Sequence, residues 1–401
     1  MKRRTLLTGL GGLAAANIIR PASAAGTLVG VTKTEIKIGH TCPYSGNASS
    51  YGIQGKSHAA YWKRVNDMGG VAGRQINFIS LDDAYNPAKT VEQTRRLVEQ
   101  DHVALLFNQL GTPTNSAIHK YVNQKKVPHL FLSTSADKWG DYKHFPWTIG
   151  YAPSYRTEAQ IYGKYIKANR PNAKATLIYQ NDDFGKDYLH GLQDVYGKDF
   201  DKVFVKVVTY ESSDATVDSQ VVTMKDSGAD VLVTAAIPKF AAQVIRKTFD
   251  IGWKPFHVMS NVSASIAATI TPAGPEKAEG VVTSQYLKDP TDPEFKDSPD
   301  MKEWRGFMAK YIPDGDVTDV GYVYAYSVAN LMHIVLKQCG DDFTRENIIK
   351  QASNVKPVAL PLLLPDMMAH TTPTDFRPLK QLQLARWKIN TWERFGEIIG
   401  A

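Results

Sequence analysis

From Glu35 onward, short β-rich runs alternate with segments whose apolar residues recur every three or four positions. Residues 35–40 read as a strand, 54–68 as an amphipathic helix closed by Gly69 and Gly70, and 75–81 as the next strand. Asn86 and Pro87 supply an N-cap and a first-turn proline for a helix reaching Gln100. A strand over 103–107, a helix over about 114–125 and a strand over 129–132 continue the alternation. A second series opens with a helix over 155–169, followed by strand 175–179, helix 184–196 and strand 203–208. Helix 216–226, strand 231–234, helix 240–251 and strand 256–259 complete it. The last third is less regular: 272–293 is turn-rich, 301–311 and 321–338 read as helices, 361–378 breaks the pattern, and a final strand covers 381–389. Two successive series of strand–helix units predict an α/β chain of two doubly wound parallel-sheet lobes. Ligands in such sheets sit beyond the carboxyl ends of the strands, here between the lobes.

The first residues follow a different rule. Lys2, Arg3 and Arg4 precede an apolar run over 6–19 and a small-residue stretch ending at Ala24, the pattern of an export signal cleaved near Ala24. The run is too short to span a bilayer. The arginine pair leaves twin-arginine and general secretion both open. Without residues 1–24 the net charge falls from +7 to +3, so the basic balance belongs largely to the signal. No Lys/Arg block remains to track phosphates, which argues against nucleic acid as a partner. The remaining length suffices for two cores. Cys42 and Cys339 lie far apart in a chain bound for an oxidising compartment; they can pair or remain two buried thiols, and spacing does not decide.

Catalytic patterns are missing from the sequence. No G-x-G-x-x-G follows a strand, and there is no P-loop, G-x-S-x-G elbow, H-E-x-x-H or C-x-x-C. The ten histidines are scattered without metal-ligand spacing. Asp82-Asp83 and Asp182-Asp183 each follow a strand and admit a paired-carboxylate reading. Both precede a helix start, where acids satisfy orphan N–H groups, and that structural reading is preferred. The expectation is a protein that is not an enzyme and uses no cofactor or metal.

Residues 36–46 with Tyr51-Gly52, then 65–74, 82–89, 181–186 and Glu279-Gly280, together resemble the ordered motifs of type I periplasmic solute-binding proteins. These are the leucine/isoleucine/valine-binding class of ABC importer components, and the resemblance covers essentially the whole chain after the signal. It implies chain crossings near Gly150, Asn261 and Leu360, forming a three-crossing hinge. The N-terminal lobe would be 25–150 plus 262–360, and the C-terminal lobe 151–261 plus 361–401. It further implies that loops carrying Gly111, Thr112, Ser133, Thr134, Ser135 and Ala136 clamp a ligand carboxylate, with helix N-termini behind them. Plain helix capping is the competing reading of these hydroxyls. Tyr51 would wall the cleft, and Phe184 and Tyr286 would be further walls or core residues.

Two departures bear on the ligand. Relatives that bind α-amino acids usually place an acid where Asn261 stands, and a tyrosine commonly where Ile237 stands. An ammonium buried without an anionic partner is costly. The expected ligand is therefore a hydrophobic or aromatic carboxylate without an ammonium; a branched-chain amino acid or amide held by a shifted contact is the alternative. ABC permease subunits are the expected partners, the periplasm the expected location and a monomer the family default. A periplasmic ligand-sensing module is the competing role on the same fold.

Overall fold

The computed structural model describes residues 28–400, so the expected export signal over 1–24 lies outside them. The first strand–helix series builds one wholly parallel sheet. It contains β1 (Glu35–Cys42), β2 (Gln75–Asp82), β3 (Leu105–Phe107), β4 (His129–Leu130) and β5 (Thr148–Ile149), ordered β2-β1-β3-β4-β5. The helices α1 (Gly52–Asp67), α2 (Pro87–Glu99) and α3 (Thr112–Gln124) form its crossovers. After the first crossing come α4 (Tyr155–Asn169), β6 (Ala175–Gln180), α5 (Asp183–Tyr196), α6 (Phe200–Val203), β7 (Phe204–Tyr210), α7 (Asp218–Asp226), β8 (Val231–Ala235) and α8 (Pro238–Asp250). β9 (Phe256–Met259), the short α9 (Thr271–Ala273) and β10 (Val282–Gln285) follow. The chain then returns to the first lobe as α10 (Pro299–Tyr311), α11 (Val320–Gln338) and α12 (Arg345–Ala352), and ends as the hairpin β11 (Gln381–Lys388) and β12 (Thr391–Gly400).

The second sheet has the order β12-β11-β10-β9-β8-β6-β7. Its strands from β6 to β10 are parallel, and β11 and β12 add an antiparallel edge. This corrects the expected lobe boundary. Val282 of β10 registers with Val258 of β9, so the chain stays in the second lobe past Asn261 and leaves it only after Gln285. The polar sequence Val-Thr-Ser-Gln of β10 hides a fully buried strand. The crossing segments are themselves paired: Leu287 bridges Leu363, Lys288 N–H donates to Leu362 O at 2.8 Å, and Leu364 N–H donates to Tyr286 O at 3.0 Å. Around Gly150 the chain passes from β5 of the first sheet to the elements of the second, and beyond Leu360 it pairs into the second sheet as β11.

Local chemistry explains the helix starts. Asn86 accepts from the N–H groups of Ala88 and Lys89 with Pro87 behind it. Asp182 caps α5 through Phe184 and Gly185. Asp82 accepts from the N–H groups of Tyr44 and Ala84, and Asp83 from Tyr85 N–H and Thr90 Oγ1. The acid pairs thus hold turns and helix ends. Cys42 and Cys339 are both buried and unpaired.

Candidate functional site

Loops at the carboxyl ends of β1, β3, β4, β6, β8, β9 and β10 converge on a cleft between the lobes, about 1140 Å³ of empty space with its open mouth included. One end is built from hydroxyls and backbone. The loops after β3 and β4 are tied as a short bridge, Gly111 N–H to Ser133 O at 3.1 Å and Ser133 N–H to Gln109 O at 3.0 Å. Thr112 and Thr134 hydroxyls lie 2.6 Å apart, Trp139 Nε1 donates to Thr134 Oγ1, and Ser133 Oγ donates to Gln54 Oε1 at 2.8 Å. The N-terminus of α3 opens at Thr112 on this end, and a helix N-terminus carries partial positive charge. Among the described residues no Lys, Arg or His lines the cleft.

Aromatic rings form much of the remaining wall. Tyr51 reaches across from the first lobe, its hydroxyl donating to Val262 O at 3.0 Å. Phe184 packs on Tyr155 with ring centres 4.7 Å apart, and Tyr286 and Tyr324 also line the space. Tyr85 lies against the second lobe, where Gln180 Nε2 donates to its hydroxyl at 3.2 Å. Ile237 lines the wall at the start of α8 and spends its N–H on the Tyr210 hydroxyl at 3.0 Å.

Asn261 lies on the cleft, and behind it sits Glu158, 1% exposed. Glu158 accepts from Asn261 N–H at 2.9 Å, Ser284 Oγ at 2.7 Å and the hydroxyls of Tyr162 and Tyr188. Burial raises its pKa, and these donors partly oppose the rise. This acid is therefore committed to holding the loop. All the sequence-expected residues except Ala136 line the cleft. Ala136 lies behind the clamp loop beside Trp139 and Arg377, and its carbonyl accepts from Trp139 N–H.

Several lining residues escape sequence reasoning: Gln54, Tyr85, Tyr155, Gln285, Tyr324 and the acids Asp289 and Asp319. Tyr85 stands within the 82–89 motif, and Asp319 is readable as the N-cap of a long aromatic helix; neither signal says that the residue faces a cleft. Among the described residues no group of three or more His, Cys, Asp or Glu is arranged to hold a metal, and no helix is long and apolar enough to cross a membrane.

Polar contacts join the lobes around the cleft. Asn47 Nδ2 donates to Ser212 O at 2.8 Å and to Asp214 O at 3.3 Å, while its Oδ1 accepts from Lys239 Nζ at 2.8 Å. Lys138 pairs with Asp183 at 2.6 Å, and Asp137 N–H donates to Asp187 Oδ2 at 2.7 Å. Burial pushes the Asp187 carboxyl up to about 7.

Comparison with known proteins agrees with this geometry. The family described as periplasmic binding protein matches residues 35–391. A Pseudomonas aeruginosa amino acid binding protein is 24% identical over 261 residues, 62% of this chain and 66% of the relative. The Thermus thermophilus branched-chain amino acid ABC transporter protein with bound valine superposes with a TM-score of 0.83 at 16% identity, covering 92% of this chain and 98% of that one. A solute-binding protein from R. palustris in complex with 4-hydroxybenzoate gives a TM-score of 0.76 at 16% identity, covering 91% and 97%.

Proposed function

The chain belongs to the periplasmic binding protein family, and from that premise we infer that it captures a small hydrophobic or aromatic carboxylate for an ABC importer. The observation that carries the reading is the cleft's uneven lining. Hydroxyls and a helix N-terminus gather at one end, rings and aliphatic side chains cover much of the rest, and among the described residues no basic side chain lines it. Neutral donors and a helix dipole suit a carboxylate, and the rings suit its apolar body. At Asn261 the nearby acid is already bonded to protein groups, so an α-ammonium placed there would lack a free anionic partner.

In this account the solute enters between separated lobes, and closure brings Asn47, Lys138 and Tyr51 onto the facing lobe. The closed form then presents both lobes to a membrane permease from the periplasmic side. No bond is made or broken. A thermal-shift screen of solute-stripped chain tests the reading, because a ligand that binds the native state raises Tm. Benzoates, hydroxybenzoates and hydroxycinnamates should stabilise the protein. Stabilisation by leucine or valine alone would overturn the ligand class and leave the family assignment standing.

A further inference from the structure

Gln54 stands in the first turn of α1 and lines the cleft while only 5% exposed. Its side chain meets the clamp at one contact, Ser133 Oγ donating to Gln54 Oε1 at 2.8 Å. Ser133 is also where the two clamp loops are tied, its N–H donating to Gln109 O and its carbonyl accepting from Gly111 N–H. Gln54 therefore joins the clamp at the point where its loops meet. The contact has a direction. A serine hydroxyl carries one proton, and Ser133 spends it on Gln54. An amide that accepts through its oxygen turns its nitrogen, with two N–H donors, to the other side.

Those donors are unspent. Among the described residues Gln54 Nε2 has no hydrogen-bond acceptor. It differs from the unpaired amide oxygens of Gln109 and Gln285, which are sealed from solvent: Gln54 Nε2 still touches free space, and the free space that Gln54 borders is the cleft. Packing fixes the residues on either side of it. A Cβ on Gly55 would collide with Tyr44 Oη, and one on Gly321 would lie 2.6 Å from Ile53 Cδ1. With the lobes joined, a donor without a protein partner costs stability unless the solute accepts from it.

Resting on the carboxylate reading above, we propose that Gln54 is the specificity-determining donor of the clamp, its Nε2 amide group donating to the solute carboxylate. An ionised carboxylate is acceptor-only and takes several donors at once. Hydrogen bonds to it are roughly twice as strong as those to a neutral acceptor. A neutral amide makes such a bond without leaving a buried cation when no solute is bound. Ser135, two residues along from Ser133, also lines the cleft, and among the described residues its Oγ has no partner and is not sealed. The carboxylate would thus receive donors from α1 and from the loop after β4 together.

Calorimetric titration of the full, solute-stripped chain tests this with benzoate, 4-hydroxybenzoate and 4-hydroxycinnamate, each beside its own primary amide, in the wild type, Gln54→Met and Gln54→Glu. Methionine keeps the length and removes the donors. Glutamate keeps the oxygen that Ser133 bonds and, at about pH 8, replaces the donors with a negative charge. For the acid that binds tightest, Gln54→Met should lose about tenfold in affinity and Gln54→Glu about a hundredfold or more. The matching amide should lose no more than about threefold in either variant. An unchanged Tm without solute confirms that each variant folds, and Gln54→Met alone decides the matter if the buried charge prevents Gln54→Glu from folding. Equal losses for acid and amide would give Gln54 a purely structural part and overturn the proposal, as would unchanged acid affinity in Gln54→Met. In both cases acid binding by the wild type leaves the carboxylate reading intact. Failure of the wild type to bind any of these acids would overturn both readings together.

Discussion

Gly111 shows how closely one residue controls the clamp. Its φ is +100°, and a Cβ there would lie 2.4 Å from Tyr85 Cε2 and 2.6 Å from Thr114 Oγ1. Gly111→Ala should therefore displace the Tyr85 ring and weaken ligand binding, with a stability loss of about 1–3 kcal/mol. Urea unfolding and calorimetry measure the two effects separately; an unchanged urea midpoint with unchanged affinity would show that the Tyr85 contact is unimportant. At this scale the family resemblance singled out the loops holding Gly111, Thr112 and residues 133–135, and these residues line the cleft. Asp289 and Asp319 were not legible. Each has an ordinary local reason to exist, a turn and a helix cap, and only the crossing of the chain between lobes places them on the cleft.

Among the elements, the loop after β1 carries the interlobe contact on which the proposed closure would rely most. Asn47 bonds two carbonyls and one lysine of the facing lobe, whereas Lys138–Asp183 is an ion pair whose partners are 34% and 46% exposed. Exposed pairs contribute little. Asn47→Ala should lower affinity roughly three- to tenfold, mainly through faster release, although Asn47 is outside the cleft lining. Stopped-flow release rates measure this, and an unchanged rate would remove Asn47 from the closure mechanism. The alternating strand and helix pattern identified nearly every element up to β9. It failed at β10, whose buried residues are largely polar, and at the β12 edge, where the partner strand rather than an apolar pattern fixes pairing.

For the whole molecule, acid stability depends on histidines kept neutral inside the first lobe. The His40 ring bonds Phe107 O and the His58 ring bonds Asn108 Oδ1, with ring centres 5.4 Å apart. Burial lowers their pKa values to about 4 and about 3 from an ordinary 6.5. Between those limits the unfolded chain binds more protons than the folded one, so the stabilisation present above pH 6.5 is lost as pH falls toward 4. Urea midpoints should fall across that window; a flat profile would mean that other groups dominate acid stability.

The central claim is that the loop end of the cleft selects a carboxylate with neutral donors. It is tested most directly by titrating the tightest acid from the thermal screen beside its own primary amide, in the wild type and in Ser135→Ala. The acid should bind about tenfold tighter than the amide, and the gap should shrink in the variant. Equal affinity for acid and amide in the wild type would contradict the claim.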